Sequence, residues 1–268
     1  METLSHREIQ EVLLGILKEL DGFCRSHDIR YSIAGGTLLG ALRHKGFIPW
    51  DDDADVIMPR PDYDRFVALF NKECTSHYHL LTQERKKDKW YVNTYSKLED
   101  SSTESHEPGL VGVAKFGVNI DIFPVDGLPD DPEEQMRIIR RTMHYKRRIV
   151  LRQKTFLHLF LPHQGPPLAF FGAKTKSLDK WLSLADELLR SHDFSTSNYA
   201  AAICGLYAKK EIFPRQMFEE YAEYSFEGVP LMGLKKADEY LTSLYGDWHQ
   251  LPPESERGGK HRLKVYKK

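Results

Sequence analysis

The stretch GGTLLGALRHKGFIPWDDDADVIM, residues 35–58, decides what kind of fold the chain can adopt. Two glycines precede a short helical pattern, and the acidic run 51–55 then leads directly into the apolar residues Val56, Ile57 and Met58. The apolar run predicts a strand that enters the core, while the carboxylates just before it repel one another. We therefore expect a positive group among these carboxylates.

The residues around this stretch complete a strand–helix–strand pattern. Residues 31–34 predict a short strand that ends at Gly35 and Gly36, Thr37 is the expected cap of the helix that follows, and residues 53–58 predict a second strand. A glycine turn before a helix N-terminus presents backbone N–H groups and a positive dipole end to an anion. Gly35, Gly36 and Thr37 are therefore candidate ligands of phosphate groups.

The carboxylates themselves predict a metal site. Residues two apart in a strand point to one face, so Asp53 and Asp55 should lie together, with Asp51 on the same side. Asp121 lies within another apolar strand pattern, 118–123, where an unpaired charge would cost several kcal/mol. Such oxygen ligands favour Mg²⁺ or Mn²⁺. A solvated acidic turn, or an arginine partner for Asp121, stays open as an alternative.

The order of these elements points to a fold. A strand, a glycine pair, a helix and a strand with Asp-x-Asp form the layout of the polymerase-β type nucleotidyltransferases, which place a third carboxylate on an adjacent strand. An EF-hand loop is excluded because Val56 stands where that loop needs glycine. The metal pair of a nucleotide-sugar glycosyltransferase and a non-catalytic binding protein on the same fold remain open.

The composition limits the remaining possibilities. The chain has 268 residues, and its 38 basic and 39 acidic residues give no indication of a nucleic-acid partner. Cys24, Cys74 and Cys204 stand far apart, which is typical of reduced thiols and not of a disulfide framework. No signal peptide is recognisable, and no apolar run approaches the ~18 residues of a membrane span. The expectation is a cytoplasmic protein.

The overall pattern predicts an α+β protein, with a polymerase-β-type mixed sheet flanked by helices and a largely helical second half. We expect a catalytic core in residues 1–130, a basic helical elaboration in 131–200, and a C-terminal portion, 201–268, that packs back on the core in one compact unit. Ser5 and Glu8 have capping-box spacing and should open the first helix. Further predictions are helices at 61–71, 131–160 and 177–191, strands at 78–82, 91–98 and 118–123, and a turn at Asp126.

The two main motifs resemble the LicD family, which includes bacterial phosphocholine transferases and the fukutin-related proteins. They are GGTLLGALRHKGFIPWDDDADV and IDIFPVDGLP, at 35–56 and 120–129. FPRQMFEE, FEGVP and YGDWHQLPPESERGGKH are similar to weaker C-terminal motifs of the family. The resemblance implies a nucleotidyltransferase-like fold and Mg²⁺-dependent transfer of an alcohol phosphate from a CDP-activated donor.

The resemblance also implies a reaction. In bacterial members the donor is usually CDP-choline and the acceptor is a sugar of teichoic acid or another surface glycan, whereas members like the fukutin-related branch use CDP-ribitol. We predict that phosphocholine passes to a sugar hydroxyl and that CMP is released. Asp53, Asp55 and Asp121 would hold Mg²⁺ against the diphosphate, and Asp121 would be the general base, with His44 as the alternative.

Several other side chains are candidates for binding the donor or the acceptor. Arg43 suits phosphate oxygens. A quaternary ammonium would favour an aromatic cage, for which Trp50 is a candidate. Arg257 and His261 could reach phosphate or acceptor. Further aromatic candidates are Trp90, Tyr91 and Tyr95.

Residues 135–178 include ten basic residues and no aspartate or glutamate. Apolar residues recur there at roughly helical spacing, from Ile139 to Phe160. A basic amphipathic helix can rest on an anionic bilayer, which would bring the enzyme to a lipid-linked acceptor at the inner face of the plasma membrane. An ordinary helical subdomain that packs its apolar face on the core is the open alternative.

Overall fold

The computed structural model describes residues 3–82, 91–106, 116–153, 175–205, 207–258 and 264–268. Helices in these ranges are α1 (His6–Ser26), α2 (Gly35–Arg43), α3 (Arg60–Glu73), α4 (Pro132–Gln153), α5 (Leu178–Leu189) and α6 (Ala237–Tyr245). Strands are β1 (Ser32–Ala34), β2 (Asp55–Pro59), β3 (Tyr78–Leu81), β4 (Ser96–Asp100), β5 (Thr103–His106), β6 (Val118–Leu128), β7 (Tyr199–Ala201), β8 (Phe213–Pro214), β9 (Tyr221–Phe226), β10 (Val229–Leu234) and β11 (Lys264–Lys267).

One mixed sheet contains most of these strands. Its order is β3-β4-β6-β2-β1-β10-β9, and β7 pairs with β6 while β8 pairs with β7. β2 runs parallel to β6 and β1 runs parallel to β10, whereas β1 and β2 are antiparallel. β5 and β11 form a separate two-stranded sheet. The predicted α+β class, a mixed sheet flanked by helices, is confirmed.

Helix α1 begins at the predicted capping box. The Ser5 hydroxyl accepts a hydrogen bond from the Glu8 N–H, and the Glu8 carboxylate accepts one from the Ser5 N–H. Leu13, Ile16 and Leu20 recur at helical spacing and are fully buried. The apolar face of α1 therefore packs on the sheet and supports the strands of the site.

Helix α2 begins earlier than predicted. Gly35 and Gly36 are its first residues, and Ala34 is the N-cap without a capping side chain. Thr37 is not the cap, because its hydroxyl accepts a hydrogen bond of 2.9 Å from the backbone N–H of Asp55. This bond fastens α2 to the first residue of β2. Gly35 has φ +52°, a left-handed conformation that favours glycine.

Strand β2 begins at Asp55, later than predicted. Residues 51–54 form no strand, since the Asp51 N–H donates to the Ile48 carbonyl (2.9 Å) in a turn. The prediction that this strand begins at Asp53 is therefore wrong. Strand β4 likewise starts at Ser96 and not at residue 91.

Strand β6 continues beyond the predicted end at residue 123 to Leu128 and includes Asp126. The predicted turn at Asp126 is wrong, because this residue pairs with Ala201 of β7 and its side chain is buried. Its carboxylate accepts two hydrogen bonds from Arg60, of 2.6 and 2.8 Å. A bidentate, buried partner of this kind satisfies a carboxylate inside the protein and ties α3 to β6.

Helices α4 and α5 pack against each other. Asp131 accepts hydrogen bonds from the N–H groups of the first turn of α4, and Ser177 caps α5. Ile149 of α4 is buried in one cluster with Trp181 and Leu182 of α5. The apolar face of α4 thus packs inside the protein, as in the alternative that the sequence left open.

No helix in the described ranges is long and apolar enough to span a bilayer.

Residues 199–234 contribute strands, so within the described residues the prediction of a largely helical second half is accurate only for 132–153 and 178–189. Strands β9 and β10 form a hairpin, and Gly233 of β10 pairs with Ile33 of β1. This pairing joins residues far apart in sequence, which a local pattern does not indicate. The boundaries of the three expected segments stay a prediction.

Candidate active site

The register of the central strands brings two of the predicted carboxylates together. Asp55 of β2 and Asp121 of β6 are direct partners on parallel strands, and the Asp121 N–H donates to the Ala54 carbonyl (3.0 Å). Adjacent strands lie about 4.8 Å apart, and partner side chains project to the same face. The predicted third carboxylate is thus the neighbour of the Asp-x-Asp segment.

The environment of Asp55 concentrates negative charge. Burial raises the pKa of the Asp55 carboxyl well above its usual range, and the charges of Asp121, Asp53 and Asp51 raise it further, while Lys97 opposes them. Like charges at short range disfavour ionisation of one another. A cation bound at this position would remove that repulsion and lower the pKa.

Asp51 and Asp53 lie close to this pair although they precede the strand. Asp53 is exposed, and the backbone carbonyl of Asp51 accepts a hydrogen bond from Gln10 Nε2 (3.0 Å). A Cβ atom on Gly36 would lie 2.9 Å from Asp51 Oδ2, and one on Gly35 would lie 3.2 Å from Asp55 Oδ2. The two glycines therefore give the carboxylates room against the N-terminus of α2.

Lys97 is a residue of the site that the sequence analysis missed. It is the register partner of Asp121 on β4, and its ammonium donates to the Asp121 carboxylate and to Asn119 Oδ1 (2.9 Å). The hydroxyl of Tyr95 also faces Asp121, and the Lys97 ammonium lies 5.8 Å from the centre of the Tyr95 ring. In the sequence, the only local indication of this residue was a lysine within a predicted strand. That Asp121 is its partner follows from the pairing of β4 with β6, which the local sequence does not show.

The carboxylates fit a magnesium ion in part. In the described part of the chain, no three His, Cys, Asp or Glu side chains converge as a ready metal cage. Mg²⁺, however, is commonly held by one or two carboxylates together with waters and substrate phosphates. Asp55 and Asp121 supply hard oxygen ligands on adjacent strands, with Asp51 and Asp53 close by. This donor set suits such an ion better than a softer metal.

Arg43 and His44 lie at the opposite end of α2 from the glycines. Arg43 Nη1 donates to the Trp248 carbonyl (2.9 Å) and the Gln250 carbonyl (3.2 Å), so it holds the C-terminal motif against α2. Arg43 Nε donates to His44 Nε2 (3.0 Å). Burial lowers the pKa of His44, and the charge of Arg43 lowers it further. His44 therefore lies at the end of α2 that is away from Asp55.

Trp50 and Arg257 meet although they are far apart in sequence. The Arg257 guanidinium lies 5.9 Å from the centre of the Trp50 ring, and its Nε donates to the Pro252 carbonyl (2.8 Å). A cation already covers this ring, so Trp50 is a weaker candidate for an ammonium cage. Tyr95 is the cage candidate that lies beside the carboxylates, whereas Tyr91 is buried. His261 and Trp90 lie outside the described residues.

Helix α6 lies beside Gly35, at the start of α2. A Cβ atom on Gly35 would lie 3.6 Å from the hydroxyl of Tyr245, and the Gly35 amide is within hydrogen-bonding reach of the Tyr240 hydroxyl. The Tyr240 hydroxyl donates to the buried Glu211 carboxylate (2.7 Å). The sequence analysis named neither tyrosine as a site residue. Both contact Gly35 from about 200 residues further along the chain, and a local pattern does not indicate such contacts.

Comparisons with known proteins found one matching family model and several similar proteins. The family model described as "LicD/FKTN/FKRP, nucleotidyltransferase domain" matches residues 28–159, a range that includes the glycine pair and all four aspartates of the site. The lipopolysaccharide cholinephosphotransferase LicD of Haemophilus influenzae is 32% identical over 274 residues, which cover 99% of each chain. An uncharacterized protein of Rickettsia prowazekii is 29% identical over 45% of this chain and 50% of its own, and one of Rickettsia typhi is 41% identical over 41% of each.

Proposed function

The chain belongs to the LicD family, and on that premise we propose that it is a phosphotransferase that moves phosphocholine from CDP-choline to a sugar hydroxyl of a surface glycan, releasing CMP. The observation that supports this most directly is the register pairing of Asp55 with Asp121 beside the glycine turn. The relative from Haemophilus is named for lipopolysaccharide, which makes a lipid-linked glycan our proposed acceptor.

Each group of the site has a part in this reaction. Asp55 and Asp121, with Asp51 and Asp53, would hold Mg²⁺, which when bound neutralises charge on the diphosphate and on departing CMP. The backbone amides at the start of α2 would bind phosphate oxygens, since a helix N-terminus attracts anions. The ammonium of Lys97 would add a positive charge on the other side of Asp121.

The chemical step is a substitution at phosphorus. The sugar oxygen forms a bond to the phosphorus that bears choline, and the bond from that phosphorus to the bridging oxygen of CMP breaks. The electron pair leaves with CMP, and the proton of the sugar hydroxyl passes to the Asp121 carboxylate as the proposed base. Positioning and charge neutralisation supply most of the rate in transfers of this type.

The decisive experiment incubates the purified chain with CDP-choline, CDP-ribitol and UDP-sugars, in Mg²⁺ or in EDTA, with a glycan acceptor. We expect Mg²⁺-dependent release of CMP from CDP-choline. Release from CDP-ribitol alone would change the proposed alcohol, and release of UDP would point to a glycosyltransferase. No release from any donor with a proven acceptor would indicate a binding protein.

Substitutions test the residue assignments. Asp53→Asn, Asp55→Asn and Asp121→Asn should each abolish CMP release while the circular-dichroism spectrum is retained. Asp28→Asn is the matched control, because Asp28 is exposed, lies away from the site and has φ +51°, which asparagine also tolerates. Full turnover by the Asp55→Asn or Asp121→Asn variant would refute the metal assignment.

A further inference from the structure

One side of α4 is strongly basic and exposed. Arg137, Arg140 and Arg147 all face solvent, and Met143 and Val150 lie beside them with exposed fractions of 41% and 51%. Residues three and four apart are neighbours on a helix, so Arg140, Met143, Arg147 and Val150 form a continuous strip. We name these five residues the arginine face.

In the described part of the chain, the guanidinium groups of this face have no acidic partners. Within the described residues, no carboxylate pairs with Arg137, Arg140 or Arg147, and the sequence from 135 to 178 contains none. Several other arginines are paired with carboxylates, as Arg25 is with Asp21 and Arg190 with Asp64. Neighbouring cations repel one another, so a surface that retains them without compensation suits an external anionic partner.

The arrangement of apolar residues indicates which partner. The buried side of α4 packs on α5, so the helix lies flat on the protein with the arginine face outward. Met143 and Val150 are two of four large hydrophobic residues that are exposed in the described ranges. Guanidinium groups beside exposed apolar side chains fit a lipid headgroup layer, where cations meet phosphate and apolar groups reach the acyl boundary. A nucleic acid would leave the exposed side chains of Met143 and Val150 without an apolar environment.

We propose that the arginine face docks the protein on an anionic phospholipid bilayer. The contact is peripheral, because α4 remains packed on α5 and only side chains enter the headgroup layer. Each basic residue near an anionic leaflet strengthens binding by roughly fivefold, which corresponds to about 1 kcal/mol. Three arginines and two apolar contacts therefore give a reversible, salt-sensitive attachment.

Sedimentation with vesicles tests this surface without reference to catalysis. The full chain is mixed with vesicles of phosphatidylglycerol and phosphatidylcholine, or of phosphatidylcholine alone. We expect binding to the anionic vesicles at low salt, little binding to neutral vesicles, and release at about 1 M salt, where charges are screened beyond about 3 Å. Absence of binding to anionic vesicles at low salt, or preference for RNA over those vesicles, would overturn the proposal.

Charge reversal locates the surface. Arg140→Glu with Arg147→Glu should weaken anionic-vesicle binding by about a hundredfold or more, since four units of charge change. Lys18→Glu with Lys72→Glu is the matched control, because both lysines are exposed on other helices and the net charge changes equally. Equal losses in the two double variants would show that net charge alone matters and would refute a site on α4.

The apolar residues give an independent measurement. Met143→Ser with Val150→Ser should weaken vesicle binding while its dependence on salt concentration stays the same, because the arginines are retained. Unchanged binding would contradict the apolar contribution. All these variants should release CMP from CDP-choline with a water-soluble acceptor at the wild-type rate, so failure of the docking and failure of the proposed reaction are distinguishable.

Discussion

Lys97 and Asp121 show how one ion pair organises the site. The ammonium reaches Asp121 from β4, on the side away from Asp55, and is shared with Asn119. It reduces the repulsion between the two carboxylates, which is why it lowers the pKa of Asp55. In the proposed reaction, the same charge would attract the diphosphate of the donor.

Replacement of Lys97 by methionine tests this role. We expect Lys97→Met to lower kcat/KM for CMP release at least tenfold, equivalent to about 1.4 kcal/mol of transition-state stabilisation. Lys97→Arg should retain more activity because it keeps the charge, and Lys18→Met on α1 should have no effect. A wild-type rate for Lys97→Met would show that this ammonium has no part in the reaction.

Glu211 is a buried carboxyl whose pH response can be measured. Burial raises its pKa to about 7, against the lowering effect of the hydrogen bond from Tyr240. Because the folded-state pKa lies above the unfolded value, the protonated group stabilises the fold. This stabilisation is complete below about pH 4.5 and is lost as the pH rises through about 7.

The variant Glu211→Gln should remove this pH dependence, since the amide never ionises. We expect the stability of the variant relative to wild type to increase by about 3 kcal/mol between pH 5 and pH 8, measured by urea unfolding. Glu239→Gln, at an exposed position of α6, is the control and should follow the wild type. Parallel pH profiles for Glu211→Gln and wild type would contradict the raised pKa.

Helix α2 depends on a close approach between its own backbone and the turn that follows it. A Cβ atom on Gly40 would lie 2.4 Å from the carbonyl oxygen of Gly46, and the Gly46 N–H donates to the Gly40 carbonyl (3.3 Å). The turn then leads the chain to the aspartate run. Glycine at position 40 therefore sets where the acidic residues lie.

Alanine at this position separates steric fit from helix propensity. Gly40→Ala should lower the free energy of unfolding by about 1–3 kcal/mol, because the backbone must move. Gly22→Ala, in α1, has nothing within 4 Å of the new methyl group and should raise stability by about 0.5–1 kcal/mol. Urea unfolding measures both. An increase in stability for both variants would contradict the tight contact.

At the scale of the whole molecule, the N-terminal and C-terminal parts of the chain contribute strands to the same sheet. Strand β10 lies between β1 and β9, and Arg43 binds the carbonyls of Trp248 and Gln250. The main hydrophobic core joins α1, α2, α3 and α6 with strands from both halves of the chain, whereas α4 and α5 pack in two smaller clusters. Removal of the C-terminal part would expose an edge of β1 next to the site.

We therefore expect one cooperative unfolding transition. Far-UV circular dichroism and tryptophan fluorescence should give the same urea midpoint, since Trp50, Trp181 and Trp248 report on all three expected segments. A chain that ends at residue 198 should show no cooperative transition. Two separated transitions in the full chain would instead support an independent helical segment at 131–200.

Local patterns in the chain were sufficient for several features. The Ser5–Glu8 capping box, the glycine pair, and the carboxylates Asp55 and Asp121 at apolar strands were all recognisable, because capping, turn formation and burial depend on neighbours in sequence. The family resemblance rested on the same short motifs. These features identified the α+β class and the centre of the candidate site.

Tertiary structure alone decided which distant residues meet. Lys97 opposite Asp121, Arg60 beside Asp126, Tyr240 at Gly35 and β10 beside β1 all depend on strand register or on helix packing between remote segments. A shift of one residue in register would turn each side chain to the other face of the sheet. Such register is determined by the packing of the whole core, and no local stretch of the sequence specifies it.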